Sequence, residues 1–357
     1  MSGSDVLTLR ALSRATLARQ MLLVREKIST VAAVERLVGM QSQLARTPYV
    51  GLWTRVRGFD RKALDDALED RALVRATLMR ATIHLFSAKD YVAFRGVLQR
   101  ALDAAVQGIL RDRLSASEVA SAKKIGRAFF AEPRTFDELR KSLEKSGGDV
   151  RAKAYFVRCA VPLVQLSGGA RFVRADAWLE EKIPDEGKSS ARDLVTRYLA
   201  AFGPATIADA QSWSGVPNLA DAFEAMRDEL VTFRDEKKRE LFDLPKAPRP
   251  GEDAPAPPIF LPEFDNLLLS HKDRRRVIAD AHRKAVYLPA LRVAQTFLVD
   301  GAVAGTWTCA RAKNKATLTL KALVALAKKD RDALAEEGAA LARFVEPEAT
   351  AFDCRFT

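Results

Sequence analysis

Three cysteines and three histidines are all that 357 residues hold. Cys159, Cys309 and Cys354 are scattered. They form neither a zinc spacing nor a disulfide framework, so a reducing cytoplasm is the expected compartment. His84, His271 and His282 give no HExxH pair and no other metal-spaced cluster, so no metal and no cofactor are expected. Walker loop, GxGxxG and GxSxG elbow are all missing; "LSGGA" has two glycines but lacks the lysine of a phosphate loop. No uninterrupted apolar run approaches the ~18 residues of a membrane span. The start, "MSGSDVLTLR", lacks the basic-then-apolar design of a signal peptide. The expectation is a cytoplasmic, nucleoid-associated protein with no membrane partner.

What is present is charge of one sign. Lys and Arg total 58 against 46 Asp and Glu, a net +12, with a pI near 9.7. Such an excess suits a polyanion, nucleic acid being the commonest, although a basic proteome produces it too. Hydrophobic content of 48% and charged content of 29% fit a globular chain of two or three domains.

An internal repeat organises the chain. "EPRTFDELR" (132–140) and "GPATIADAQ" (203–211) each place Thr two residues after Pro and an acid three further on. That is a helix start of the capping type. A second helical stretch follows each, "VRAKAYFVRCAV" and "NLADAFEAMRDE". Then come two β-rich runs around a turn, "LVQLSGGARFVRA" and "LVTFRDEKKRELFDL". Helix, helix, strand, turn, strand is the winged-helix arrangement. Upstream, "DRKALDDALED" and "LVRATLMRATIHLFS", turning at Arg80 and Ala81, suggest a third copy. The expectation is an α+β, mainly α chain with winged-helix units at 5–112, 113–185 and 190–244. The Pro/Ala-rich segment 245–258 then reads as a linker or exposed loop. Residues 259–357 read as a β-rich C-terminal domain: strands in "PIFLPEFDNLLLS", "TFLVDGAVAGTWT" and "KATLTLKAL", a hairpin turn at Asp300-Gly301, a helix around 321–344 and a last strand, "ATAFDCRF".

Two basic runs in that domain are candidate DNA contacts, or solvated faces. One carries His271, Lys272, Arg274, Arg275, Arg276, Arg283 and Lys284; the other Arg311, Lys313 and Lys315. In "GMQSQLARTPYVGLW", Gly39 reads as a helix end, and Thr47 and Pro48 as the N-cap and first residue of the next helix. Between them Gln41 and Gln43 sit two apart in an extended connector, so both amides can face one side. Glutamine does not titrate near neutral pH. The pair either caps backbone groups at a buried turn or performs chemistry that needs no acid or base.

The stretches "GMQSQ" with "PYVGLW", "LMRATIHLF", "LPEFDNLLLSHKDR" and "FLVDGAVAGTW" together resemble the AlkZ-like family of winged-helix DNA glycosylases, which includes the YcaQ-type proteins. The resemblance spans most of the chain in order. It implies three winged helices and a β-rich domain in a C-shaped, concave scaffold that binds double-stranded DNA carrying alkylated purines. It implies excision of N7-alkylated purines, interstrand crosslinks included. It gives Gln41 and Gln43 the catalytic role, since Gln-x-Gln marks the AlkZ branch and Gln-x-Asp the YcaQ branch. Arg80 and His84, in "LMRATIHLF", join the candidate DNA contacts, and Ala81 stands where the family pattern calls for glycine. A monomer without an obligate protein partner is expected. The competing readings are a non-catalytic tandem winged-helix regulator, which would dimerise on one operator, and an RNA binder, for which no RNP-type motif is present.

Overall fold

The computed structural model describes residues 6–184 and 190–357. Residues 5 and 185, where the first expected unit begins and the second ends, lie outside the described residues. Strand β1 (Val6–Leu7) leads into α1 (Leu9–Arg19), whose first turn is closed by the Thr8 hydroxyl accepting from the Ala11 N–H. Ser29 caps α2 (Thr30–Arg36) in the same way. The chain leaves α2 through Val38 and Gly39, both at positive φ. A Cβ on Gly39 would lie 2.0 Å from the Phe86 ring, so only glycine fits there. Then follow β2 (Met40–Gln41) and α3 (Thr47–Arg55). Thr47 is not the N-cap. Arg46 holds that position, Thr47 is the first helical residue and Pro48 the second, because the Thr47 N–H already closes a turn onto the Leu44 carbonyl. Next come α4 (Arg61–Glu69), capped by Asp60, and the hairpin β3 (Leu73–Thr77) and β4 (Ile83–Ser87). Its turn puts Arg80 at φ 52 and Ala81 at φ 55. The glycine expected at 81 would suit this left-handed position.

The long α5 (Ala88–Leu110) connects to α6 (Ala116–Phe129), β5 (Arg134–Thr135), α7 (Phe136–Glu144) and α8 (Val150–Ala160). The hairpin β6 (Leu163–Gln165) and β7 (Arg171–Arg174) and the short α9 (Ala175–Leu179) complete this stretch. Then come α10 (Ala191–Phe202), α11 (Ile207–Ser214), α12 (Ala220–Glu224) and the hairpin β8 (Val231–Asp235) and β9 (Glu240–Asp243). Both repeated starts are capping boxes: Thr135 with Glu138 opens α7, and Thr206 with Asp209 opens α11. The helix expected over "NLADAFEAMRDE" is shorter, stopping at Glu224 before a single 3-10 turn, Arg227–Glu229.

The three hairpins are not insulated from one another. Arg75 of β3 pairs with Gln165 of β6, so the first two hairpins share one sheet of order β2-β4-β3-β6-β7-β5. Strand β1 pairs in parallel with β8 of the third hairpin. One hydrophobic core takes Val38, Phe86 and Phe94 together with Val164, Tyr198, Trp213 and Phe242.

Residues 245–258 form no helix or strand, yet they are tied to α1. Arg10, Arg14 and Arg19 donate to the carbonyls of Glu252, Ala254 and Pro248. Beyond lie β10 (Ile259–Leu261), α13 (Arg283–Val286), β11 (Tyr287–Leu288), β12 (Arg292–Val293), β13 (Thr296–Val299), β14 (Ala302–Ala312), β15 (Lys315–Ala322), α14 (Lys328–Val345) and β16 (Ala351–Phe356). The main sheet has the order β10-β13-β14-β15-β16. Asp300 and Gly301, both left-handed, make the tight turn between β13 and β14. The run "PIFLPEFDNLLLS" forms a strand only over its first residues and then a 3-10 turn, Asn266–Leu268. Two buried bidentate ion pairs bridge distant segments, Arg19 with Asp243 and Arg55 with Asp265. Among the described residues no helix is long and apolar enough to cross a membrane.

Candidate active site

Gln41 and Gln43 lie against the start of β4. Gln41 is opposite His84 in the β2–β4 ladder, and the Ser42 N–H donates to the Ile83 carbonyl at 2.8 Å. At Gln43 the ladder ends in a side chain, whose Oε1 accepts from the Ile83 N–H at 3.2 Å. The two amides therefore occupy different environments. Gln41 is 5% exposed, while Gln43 is exposed. Gln43 keeps one oxygen lone pair and its amide N–H groups without partners among the described residues.

Arg80 fixes Gln41. One guanidinium nitrogen donates to Gln41 Oε1 at 2.9 Å, and another donates to the Trp213 carbonyl at the end of α11. The first also faces His84 Nε2 at 3.4 Å. His84 Nδ1 donates to the Thr82 carbonyl at 3.0 Å, which leaves Nε2 as an acceptor for Arg80. Burial, and then the Arg80 charge, push the His84 pKa down to about 3, so this imidazole is neutral. Burial also lowers Arg80 to about 10, with Arg274 adding to the effect. Arg80 still carries its charge at neutral pH, and Arg274 lies close enough to oppose it.

The backbone around the glutamines is clamped from several sides. Arg75 on β3 donates from Nε to the Ser42 hydroxyl at 3.0 Å and from Nη2 to the Ser42 carbonyl at 2.8 Å. Asn266 Nδ2 donates to the Gly39 carbonyl at 2.6 Å. The buried Arg55–Asp265 pair anchors α3 beside Asn266. Two further stretches that carry the sequence resemblance thus converge on residues 39–43.

Against this geometry the comparisons are decisive. A family model described as DNA glycosylase AlkZ-like matches residues 34–344. The chain belongs to the AlkZ-like DNA glycosylase family. By that membership it is a DNA glycosylase. A relative called an interstrand DNA cross-link repair glycosylase, from Streptomyces sahachiroi, is 27% identical over 329 residues, covering 81% of this chain and 84% of that protein. The solved structure of Streptomyces sahachiroi DNA glycosylase AlkZ superposes with a TM-score of 0.79 at 21% identity, covering 99% of this chain and all of that one. At that identity the superposition shows a shared fold.

Within this AlkZ-like chain, burial divides the expected DNA contacts. His271 is 1% exposed: its Nε2 donates to the Phe202 carbonyl, and its Nδ1 meets the Ser270 hydroxyl. Burial, and then the Arg276 charge, bring its pKa to about 3. Arg276 is 6% exposed and donates to the Thr16 hydroxyl and the Pro204 carbonyl. Both residues belong to the interior, as does His84 at 0% exposed, which corrects the reading of all three as DNA contacts. Asp209, in the first turn of α11, accepts from the Lys272 N–H at 2.8 Å and so holds the loop that carries His271 and Arg276. Arg275 is held by Asp273. Arg274 stacks on Tyr287, 4.4 Å from the ring centroid. Lys272 is exposed. Arg311 pairs with Glu346 and Glu348, and Lys313 is exposed at the β14–β15 turn. Sequence reasoning missed Arg75, Trp213 and Asn266 as supports of the glutamine pair. Arg75 and Asn266 lie inside quoted stretches, but no local spacing links them to residue 41.

Proposed function

We propose that this glycosylase hydrolyses the N-glycosidic bond of N7-alkylated purines, crosslinked ones included, by monofunctional chemistry in which Gln41 and Gln43 hold the water. An N7-alkylated purine carries a fixed positive charge and leaves as a neutral base, so it needs no acid. The sugar gains oxocarbenium-like charge as the bond breaks. Amide oxygens accept a hydrogen bond from the attacking water and present partial negative charge to that sugar. Undamaged, neutral bases get no such help and stay in place.

The observation that carries this reading is the division of labour between the two amides. Gln41 is buried and oriented by Arg80, whereas Gln43 is exposed with acceptor capacity to spare. The curated relative's name, an interstrand cross-link repair glycosylase, supports a bulky, tethered lesion as substrate. A base tied to the opposite strand resists flipping into a pocket, which favours an open site. We take the scaffold to comprise three winged-helix units and a C-terminal β-rich domain, acting as a monomer on duplex DNA.

The test is a duplex carrying one N7-methylguanine, incubated with the protein and then cleaved with alkali. A strand break at the lesion is expected, and an uncut strand overturns the substrate reading. Borohydride present during turnover should trap no protein–DNA adduct, because neither glutamine offers an amine.

A further inference from the structure

Helix α8 presents Arg151, Ala154, Tyr155 and Arg158 at spacings of three, one and three, which places them on one helical face. This face lines an open cleft, closed on its other sides by Phe136 and Arg140 of α7 and by Ala81 of the β3–β4 turn. No carboxylate lines the cleft. Arg140 pairs with Asp137, three residues back on its own helix. Arg151 and Arg158 have no ion pair among the described residues, and Arg151 is exposed. The Arg158 guanidinium lies over the Phe136 ring at 4.2 Å and near Phe172 at 5.6 Å. Burial depresses its pKa and the Arg140 charge adds to that depression. Arg151 and Arg158 therefore bring positive charge to a partly desolvated cleft whose lining holds no carboxylate. Such an arrangement is costly unless an anion arrives.

The cleft is joined to the glutamine pair through the fold. Ala81 is adjacent to Arg80, which orients Gln41. Ile83, whose N–H holds Gln43, packs in one hydrophobic core with Phe136, Val157 and Phe172. Guanidinium forks match the oxygens of a phosphodiester, and aromatic edges beside them tolerate the sugar. We infer that the cleft of Arg140, Arg151, Tyr155 and Arg158 binds the backbone phosphates of duplex DNA and sets the register of the strand presented to Gln41 and Gln43. The inference rests on the proposed reading only in taking that strand past the two glutamines; phosphate binding itself does not depend on which adduct is excised.

The experiment measures fluorescence anisotropy of an undamaged labelled duplex with full-length protein across a salt series. Arg151→Ala and Arg158→Gln are each expected to weaken binding roughly tenfold at physiological salt and to lower the log–log salt slope by about one. Arg151 is exposed, so its variant should keep the wild-type melting midpoint, which separates lost contact from lost fold. Gln43→Ala should bind this duplex as the wild type does. If both arginine variants keep wild-type affinity and slope, the cleft does not hold DNA and the inference is overturned. If the slope falls with Arg151→Ala while N7-methylguanine is left intact by the wild type, the cleft stands and the substrate reading falls.

Discussion

Arg80 and Gln41 are joined by a 2.9 Å hydrogen bond from a guanidinium nitrogen to the amide oxygen, made by a residue in left-handed conformation at the hairpin turn. The same guanidinium reaches the Trp213 carbonyl on α11. The position of Gln41 is thus set jointly by the β3–β4 turn and the end of α11, which gives Arg80 a positioning role.

Arg80→Gln should slow excision of N7-methylguanine with little change in affinity for undamaged duplex. A hydrogen bond from a charged group is worth about 1.5–3 kcal/mol, which corresponds to roughly ten- to hundredfold in rate if it acts only through Gln41. Single-turnover kinetics at saturating enzyme read the rate alone. Weakened binding with an unchanged rate would instead make Arg80 a DNA contact.

Gln41→Ala and Gln43→Ala should each fold, bind duplex and excise more slowly, by ~10²–10³ if each acts on transition-state charge. Since both amides serve one water, the double variant should lose less than the product of the single losses. Gln43→Asp should retain activity on some alkylated bases, because aspartate holds this place in the YcaQ branch of the family that the sequence resembles. Wild-type rates in both alanine variants would reduce the pair to caps on the Ile83 and Arg80 donors.

Stability should fall as pH drops from about 6.5 toward 3. His84 and His271 both have folded pKa values of about 3, against an ordinary value of about 6.5. Between these limits the unfolded chain binds protons that the folded chain refuses, so unfolding is favoured as pH decreases. Above about 6.5 the full stability is present. Each histidine contributes a slope approaching about 1.4 kcal/mol per pH unit inside the window. Chemical denaturation at several pH values checks this, and His271→Asn should flatten the profile. An unchanged profile would mean that His271 binds its proton equally well in the folded and the unfolded chain.

Asp265→Ala should destabilise the fold by about 3–5 kcal/mol, because it strands the Arg55 guanidinium in the interior. Both partners are at most 2% exposed at their side chains. Replacing both, as Arg55→Met with Asp265→Leu, should recover most of that loss. Urea midpoints for the wild type and these two variants decide the matter; a double variant no more stable than Asp265→Ala would argue against a coupled buried pair.

Local features were legible where the physics is local. Thr135 with Glu138 and Thr206 with Asp209 close their own first turns, and Asp300-Gly301 turns its own hairpin. The spacing on the chain contains everything these motifs need. The start of α3 was misplaced by one residue because a turn closed at Leu44 competes with the threonine hydroxyl. The basic run at 271–276 misled for a related reason. Charge density along a chain says nothing of direction, and His271 and Arg276 point inward to carbonyls contributed by Phe202 and Pro204.

By itself the sequence determined the helix starts, the hairpin turns, the excess of positive charge and the family to which the chain belongs, since each rests on residue types at short spacings or in a fixed order. Only the tertiary structure decided how Gln41 and Gln43 differ. One accepts from Arg80, 39 residues away, and the other from Ile83, 40 residues away, on a segment held by Asn266, 227 residues from the glycine it binds. Hydrogen bonds across such separations form only after the core has brought the strands together, so no window along the chain can register them.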